Sequence, residues 1–214
     1  VKLVLHNYWR SSASHRVRIA FEVKQLAFEY AIINILQRDQ FSDGYRGMNP
    51  MSQVPTLVIT EDSGTTHTLT QSLPILEFLD ERFPTTPLLP KDPFRRHQVR
   101  ALCEIINSGI QPLQNLAVTK AIKAMGHDTN AWSQSYITPG LAAFEQAVKA
   151  SAGRFCAGDA VTFADCFLVP QLASSRRFGV EVERFPLLLE IEARCLALPA
   201  FQRAAPDQQP DAVK

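Results

Sequence analysis

Residues 2–24 read KLVLHNYWRSSASHRVRIAFEVK, an apolar run that passes through small hydroxyl residues into a basic segment with helical patterning. KLVLHNYW, residues 2–9, suits a buried strand. From Ser14 onward the period changes, and Val17, Ala20, Phe21 and Lys24 fall at helical spacing. A strand that feeds straight into a helix exposes the helix's first N–H groups, which have no partner within the helix. Together with the positive end of the helix dipole, they favour an anion. FEYAIINI, residues 28–35, gives a second strand, so the chain opens as a β-α-β unit.

The pattern continues outward from that opening. After a polar region, DQFSDGYRGMNP (39–50), comes the strand VPTLVIT (54–60). EDSGTTHTLT (61–70) follows, and its Ser63-Gly64 pair suits a hairpin. SLPILEFLDERF (72–83) closes this half as an amphipathic helix. The expected product is a β-α-β-α-β-β-α domain over residues 1–83 with a mixed, four-stranded sheet. PTTPLLPKDPF carries Pro84, Pro87, Pro90 and Pro93, which no helix continues through, and residues 84–93 read as a linker. Beyond it strand signals nearly vanish. Val99, Leu102, Ile106, Ile110 and Leu113, then Ile137, Leu141, Phe144 and Val148, predict long helices, so residues 94–214 read as an all-helical domain. The fold class is α/β plus all-α. The tail APDQQPDAVK (205–214) reads as loosely ordered.

Composition narrows the function. The chain has 214 residues, 46% hydrophobic and 20% charged, with 22 basic against 21 acidic side chains. A net charge of +1 gives no global field that favours nucleic acid or an anionic membrane. Cys103, Cys156, Cys166 and Cys195 form no CxxC or zinc-ligand spacing, so the expectation is core thiols in a reducing cytoplasm, with no metal site. No signal peptide or apolar span of membrane length is visible.

Three places carry possible chemistry. Ser11, Ser12 and Ser14 are either helix caps or hydroxyls that donate to a bound anion such as a thiolate. Val54-Pro55 leads a strand. A trans bond is the commoner state, whereas a cis bond turns the Val54 backbone outward as an open strand edge. Ser72 is placed to cap the next helix, with Pro74 in its first turn and the Gln71 amide beside it, a helix start that would also receive a carboxylate. Further on, Asn107, Gln111 and Asn115 fall at i, i+4 and i+8, one polar row that is either solvated or ligand-facing, with Pro112 bending the helix. TFAD, residues 162–165, is a capping box with a folding role. His15 reads as structural or surface-facing, and Arg176 as a solvated charge.

YWRSSASHRVRIAF, NPMSQVPTL, QSLPILEFLDERFP, LLPKDP, SGIQPLQNLAV, VTFADCFLVPQLASSRRF, LPAF and QPDA together make the chain resemble the zeta-class glutathione transferases over nearly its whole length. QVP with QS marks only the superfamily; SSxSxRVRIA with GIQPLQNL is far more specific. The resemblance implies a thioredoxin-like first domain and glutathione as cofactor. It implies a glutathione site formed by Ser11, Ser12, Ala13, Ser14, His15, Arg16, Gln40, Val54, Pro55, Gln71, Ser72, Gln111 and Asn115. Ser11 is its first choice for holding the thiolate and Ser12 the reserve, while Arg10 and Arg177 bind substrate carboxylates, Arg177 within the catalytic set. It further implies a homodimer and glutathione-dependent cis-trans isomerisation of maleylacetoacetate, a step of tyrosine and phenylalanine breakdown. Maleylpyruvate isomerisation, general transferase or peroxidase activity, and a non-catalytic binding module are the alternatives. Ala13 stands where the family usually has cysteine, so no protein thiol acts at that point; isomerisation by glutathione's own thiolate needs none.

Overall fold

The computed structural model describes residues 1–213. They fall into two compact units, Val1–Pro87 with the segment from Pro199 onward, and Leu88–Leu198.

The first unit is built on a four-stranded sheet in the order β2-β1-β3-β4, with β1 Lys2–Asn7, β2 Glu29–Ile32, β3 Thr56–Thr60 and β4 Thr66–Thr70. β1 runs parallel to β2 and antiparallel to β3, and β3 is antiparallel to β4, giving the mixed sheet that the alternating pattern predicts. The β3–β4 turn closes with the Gly64 N–H donating to Glu61 O at 2.8 Å, and Gly64 holds φ 86°, which costs little without a Cβ. α1 (Ser12–Val23), α2 (Asp43–Met48) and α3 (Ser72–Arg82) complete the order expected from the sequence.

α1 is buried on more than one stripe. Val17, Ile19, Ala20 and Phe21 have no exposed surface, and the larger apolar ones each contribute about 1.5–3 kcal/mol by burial. Arg16 and Arg18 are buried with them. Lys24, which shares the helical spacing of the apolar residues, also lies inside. Its ammonium meets Asp80 of α3 at 2.9 Å and donates to Thr86 O at 2.7 Å, so the cation is paired rather than stranded.

The sequence reading left the chain's end with the helical half and loosely ordered. Instead α9 (Pro199–Ala204) packs on α1, burying Phe201 and Ala204, and a 3₁₀ segment follows at Pro206–Gln208. Asp211 then accepts hydrogen bonds from Trp9 N at 3.0 Å and Tyr30 Oη at 2.6 Å. The packing of α9 just before it and a carboxylate with two donors order a tail, residues 205–213, whose composition alone reads as loose.

The second unit contains α4 (Pro93–Asn107), α5 (Leu116–Ala124), α6 (Thr129–Val148), α7 (Phe163–Arg177) and α8 (Pro186–Leu196). α7 packs against both α4 and α8 and is buried along almost its whole length. Ile137, Leu141, Phe144 and Val148 of α6 are fully buried, as their spacing predicts. α4 buries Val99, Leu102 and Ile106 but stops at Asn107, short of the Ile110 and Leu113 that extend its apolar pattern. Pro112 explains the stop: it has no N–H to donate to Ser108, its ring crowds that carbonyl, and it disfavours helical backbone at Gln111. The chain turns instead through a 3₁₀ segment, Gln111–Gln114.

The capping box forms at the start of α7. Asp165 accepts from Thr162 N at 2.7 Å and Thr162 Oγ1 at 3.0 Å, and also from Cys156 N at 2.8 Å. Burial pushes its carboxyl up, and the hydrogen bonds from Cys156 and Thr162 draw it back. All four cysteines are buried and unbridged. Among the described residues no helix is long and apolar enough to cross a membrane.

Candidate active site

Strand register gathers the serine cluster, the Val54-Pro55 bond and the start of α3 at one end of the first unit's sheet. His6 of β1 is opposite Thr56 of β3, Thr56 is opposite Thr70 of β4, and Asn7 is beside Ile32 of β2. The loop from β1 to Ser11, the loop from β2 to Gln40, the Val54-Pro55 lead-in to β3 and the β4–α3 junction therefore all lie at that end. Sequence separation hides this; pairing alone creates it.

Ser11 is the N-cap of α1, and its Oγ accepts from Ser14 N at 3.2 Å. The capping reading is thus right for Ser11, and it does not exclude the other. A hydroxyl that accepts with a lone pair keeps its proton for donation, and accepting a bond polarises that O–H further. The N–H groups of Ser12 and Ala13, at the open end of α1, have no partner among the described residues. Ser11, Ser12 and Ala13 are half-buried, whereas Ser14 is fully buried and its Oγ has no hydrogen-bond partner among the described residues. His15 is buried too, so its surface-facing reading falls and the structural one stands.

At α3 the expectation is corrected. Gln71, not Ser72, occupies the N-cap position, in a positive-φ conformation (φ 68°) and without a side-chain cap. Ser72 is the first helical residue, buried, and its Oγ accepts from Arg16 Nη1 at 3.1 Å. Arg16 therefore ties α1 to the start of α3. With no cap, and Pro74 supplying no N–H, the Ser72 and Leu73 amides stay open, a fitting receptor for a carboxylate. The exposed Gln71 side chain stands next to them.

Val54-Pro55 is cis. The Val54 N–H and C=O have no partner among the described residues, while the residues around it are pinned. Tyr45 Oη donates to Gln53 O at 2.6 Å and lies 2.9 Å from Thr56 Oγ1. Asn49 Nδ2 reaches the same two groups at 2.8 and 3.1 Å. Gln40 is buried, its Nε2 donating to Ile35 O at 3.4 Å and its Oε1 unpartnered among the described residues. Arg10 is exposed, with its guanidinium 5.7 Å from the Trp9 ring centroid.

In the second unit the polar row dissolves. Asn107 ends α4 and donates to Glu104 at 3.2 Å, Gln111 opens the 3₁₀ segment, and Asn115 caps α5 by accepting from Ala117 N at 3.0 Å. Three residues at helical spacing thus belong to three local structures. The 3₁₀ segment is fastened to α7 by a buried amide pair: Gln114 and Gln171 donate to each other at 3.0 and 3.2 Å. α7 ends in exposed Arg177, whose Nη2 donates to Ser174 Oγ at 3.1 Å. Arg176 is no free surface charge. It forms a two-pronged pair with Glu192 at 2.7 and 2.5 Å, and that hydrogen bonding holds the guanidinium above its ordinary pKa.

The family model for the glutathione S-transferase N-terminal domain matches residues 10–82. A probable maleylacetoacetate isomerase 2 from Drosophila melanogaster is 43% identical over 213 residues, covering 99% of this chain and 91% of its own. A bacterial maleylpyruvate isomerase, described as a zeta-class glutathione S-transferase, superposes with TM-score 0.91 at 40% identity, covering 98% of this chain and 100% of its own. The chain belongs to the zeta-class glutathione transferases.

The maleylacetoacetate isomerase of Anaeromyxobacter dehalogenans 2CP-1 is another similar member. Its structure with glutathione bound in the active site has TM-score 0.93 at 48% identity, covering 99% of this chain and 98% of its own. A second structure, with dicarboxyethyl glutathione and citrate, has TM-score 0.92 at 47% identity, covering 100% and 98%. In this zeta-class chain the residues that sequence reasoning missed are the supports: Tyr45 and Asn49 around the cis proline, the Gln114–Gln171 amide pair that fastens the 3₁₀ segment to α7, and Arg18 and Asp211 behind the serine turn. All of these but Tyr45 lie inside the family motifs, but residue type and spacing do not tell a support from a ligand contact.

Proposed function

We propose that this chain carries out glutathione-dependent cis-trans isomerisation of maleylacetoacetate to its fumaryl isomer. The observation that carries the reading is the set of open donors at one end of one sheet: the Ser12 and Ala13 amides, the Ser72 and Leu73 amides, and the Val54 backbone. This set fits an extended peptide with a carboxylate at one end and a thiol further along. Glutathione supplies a nucleophilic thiolate that adds reversibly to a cis double bond, so that rotation about the resulting single bond and elimination give the trans product.

The chain's own residues bind, orient and hold charge. The start of α3, with Gln71 and Ser72, receives the γ-glutamyl carboxylate, and Val54 pairs with the cysteinyl backbone. Ser11 Oγ donates to the sulfur, with Ser12 in reserve, and the open end of α1 favours the thiolate over the thiol, whose ordinary pKa is about 8.5. Arg16 keeps Ser72 in place, and the buried Gln40 is a further polar group of the first unit for the tripeptide. Arg177 and Arg10 present exposed guanidinium groups, suited to planar recognition of substrate carboxylates and to holding charge that develops on addition.

Maleylpyruvate is the second reading for the substrate, favoured by Ala13 at the usual cysteine position and by the similarity to a maleylpyruvate isomerase. The proposal also takes the chain to act as a homodimer in the cytoplasm; buried, unbridged cysteines suit a reducing compartment, and light scattering tests the dimer. The deciding experiment is the initial rate of maleylacetoacetate isomerisation with and without glutathione, with maleylpyruvate as the comparison substrate. A fast, strictly glutathione-dependent rate is expected. A rate without glutathione overturns the mechanism, and faster turnover of maleylpyruvate reassigns the substrate.

A further inference from the structure

The turn that delivers Ser11 has little backbone bonding of its own. Between β1 and α1 a single backbone bond among the described residues, Ser11 N to Tyr8 O at 3.0 Å, closes it. Two side chains from elsewhere in the first unit do the rest. Asp211 accepts the Trp9 N–H at 3.0 Å. Arg18, buried within α1, donates through Nη2 to Trp9 O at 2.9 Å and through Nη1 to Tyr8 O at 3.4 Å. Both polar groups of the Trp9 backbone are thus held by side chains, two residues before the serine.

Each holder is itself held. Arg18 Nη1 also reaches Asn7 Oδ1 at 3.0 Å and its Nε donates to Ala204 O at 3.1 Å. Burial lowers the Arg18 pKa to about 10, with Tyr30 and Asp211 opposing that fall, so the guanidinium is charged at neutral pH. Asp211 takes a second hydrogen bond from Tyr30 Oη at 2.6 Å. The segment that carries it is anchored independently by Phe201 and Ala204 and by an Arg203–Glu22 ion pair at 2.6 Å. The carboxylate therefore holds the turn, while other groups hold the segment.

We infer that Asp211 and Arg18 are positioning residues for the glutathione thiolate: by holding the Trp9 backbone at both its N–H and its C=O they set where the Ser11 hydroxyl points, and so couple the C-terminal segment to thiol activation. The inference rests on the function proposed above. A hydroxyl must sit within about 0.5 Å of its productive place to stabilise a thiolate, and one turn bond does not ensure that. Neither residue touches glutathione in this account; both act through Ser11.

The test is an ultraviolet titration of the thiolate of glutathione bound to the wild-type enzyme and to variants, alongside kcat, KM and thermal unfolding. Asp211→Ala should raise the bound thiol's pKa by about one unit and lower kcat at neutral pH about tenfold, with substrate KM within about twofold. Asp211→Asn keeps an oxygen for the Trp9 N–H and should recover most of both. An unmoved thiol pKa in folded Asp211→Ala overturns the inference, and so does an asparagine variant as impaired as the alanine one, because charge rather than position would then be at work. If Asp211→Ala does not fold, Tyr30→Phe decides: it frees one side of the carboxylate and should move the thiol pKa upward by a smaller amount, and no movement overturns the inference. A wild type that isomerises and forms the thiolate beside unaffected variants refutes this inference alone. A wild type that does neither refutes the function, and the inference with it.

Discussion

Ser11→Ala separates the two roles that one hydroxyl combines. The structure gives Ser11 Oγ an acceptor role toward Ser14 N and leaves its proton available to a thiolate. Losing the first should cost about 1 kcal/mol of stability, the usual value of an N-cap. Losing the second removes a hydrogen bond to a charged acceptor, worth about 1.5–3 kcal/mol. At about 1.4 kcal/mol per pKa unit, the thiol of bound glutathione should then titrate roughly one to two units higher. The rate near neutral pH should fall by up to about ten- to a hundredfold and recover as the pH is raised through the new value, because the thiolate is still reached, only later. The assay is a pH–rate profile of isomerisation at saturating glutathione, with urea unfolding in parallel. Ser12→Ala, which removes no cap, serves as the comparison. A Ser11→Ala profile that coincides with wild type refutes the role, and an alkaline shift in Ser12→Ala alone transfers it to Ser12.

Three further outcomes are expected. Arg177→Lys, which replaces a planar fork by a point charge, should raise the KM for the dicarboxylic substrate about tenfold and leave the KM for glutathione unchanged in steady-state kinetics; equal loss on both contradicts the assignment. Asp165→Ala leaves the Cys156 and Thr162 amides without their acceptor and should lower unfolding stability by about 3 kcal/mol or more, while the folded fraction keeps its kcat/KM. Burial lowers the His6 pKa, against a smaller upward pull from Glu29. The unfolded chain therefore takes up the proton first as pH falls. The contribution of His6 to stability is complete above about pH 6.5 and is lost as pH drops through the lower folded value. Urea midpoints between neutral pH and about pH 5 should show this decline, and His6→Gln should flatten it.

Local pattern was enough for much of this protein. The change from strand to helical period across residues 2–24, the Ser63-Gly64 hairpin, the apolar spacing of α6 and the Thr162–Asp165 box all depend on interactions within a few residues, and all appear as read. Family motifs named the class and pointed to the serine turn. Where a choice depended on residues far away in the chain, the sequence was silent or misleading. Helical spacing ran α4 through Ile110 and Leu113, yet a proline's missing N–H ended it at Asn107. Ser72 looked like a cap because serine usually is one, but a buried arginine 56 residues earlier claims its hydroxyl. Composition made the last ten residues a loose tail, whereas Asp211 meets Trp9 across 202 residues of chain. Short-range periodicity and capping are fixed by neighbouring side chains. Which buried polar group answers which is settled only when the strands pair and the helices pack, because burial is what makes an unanswered donor costly.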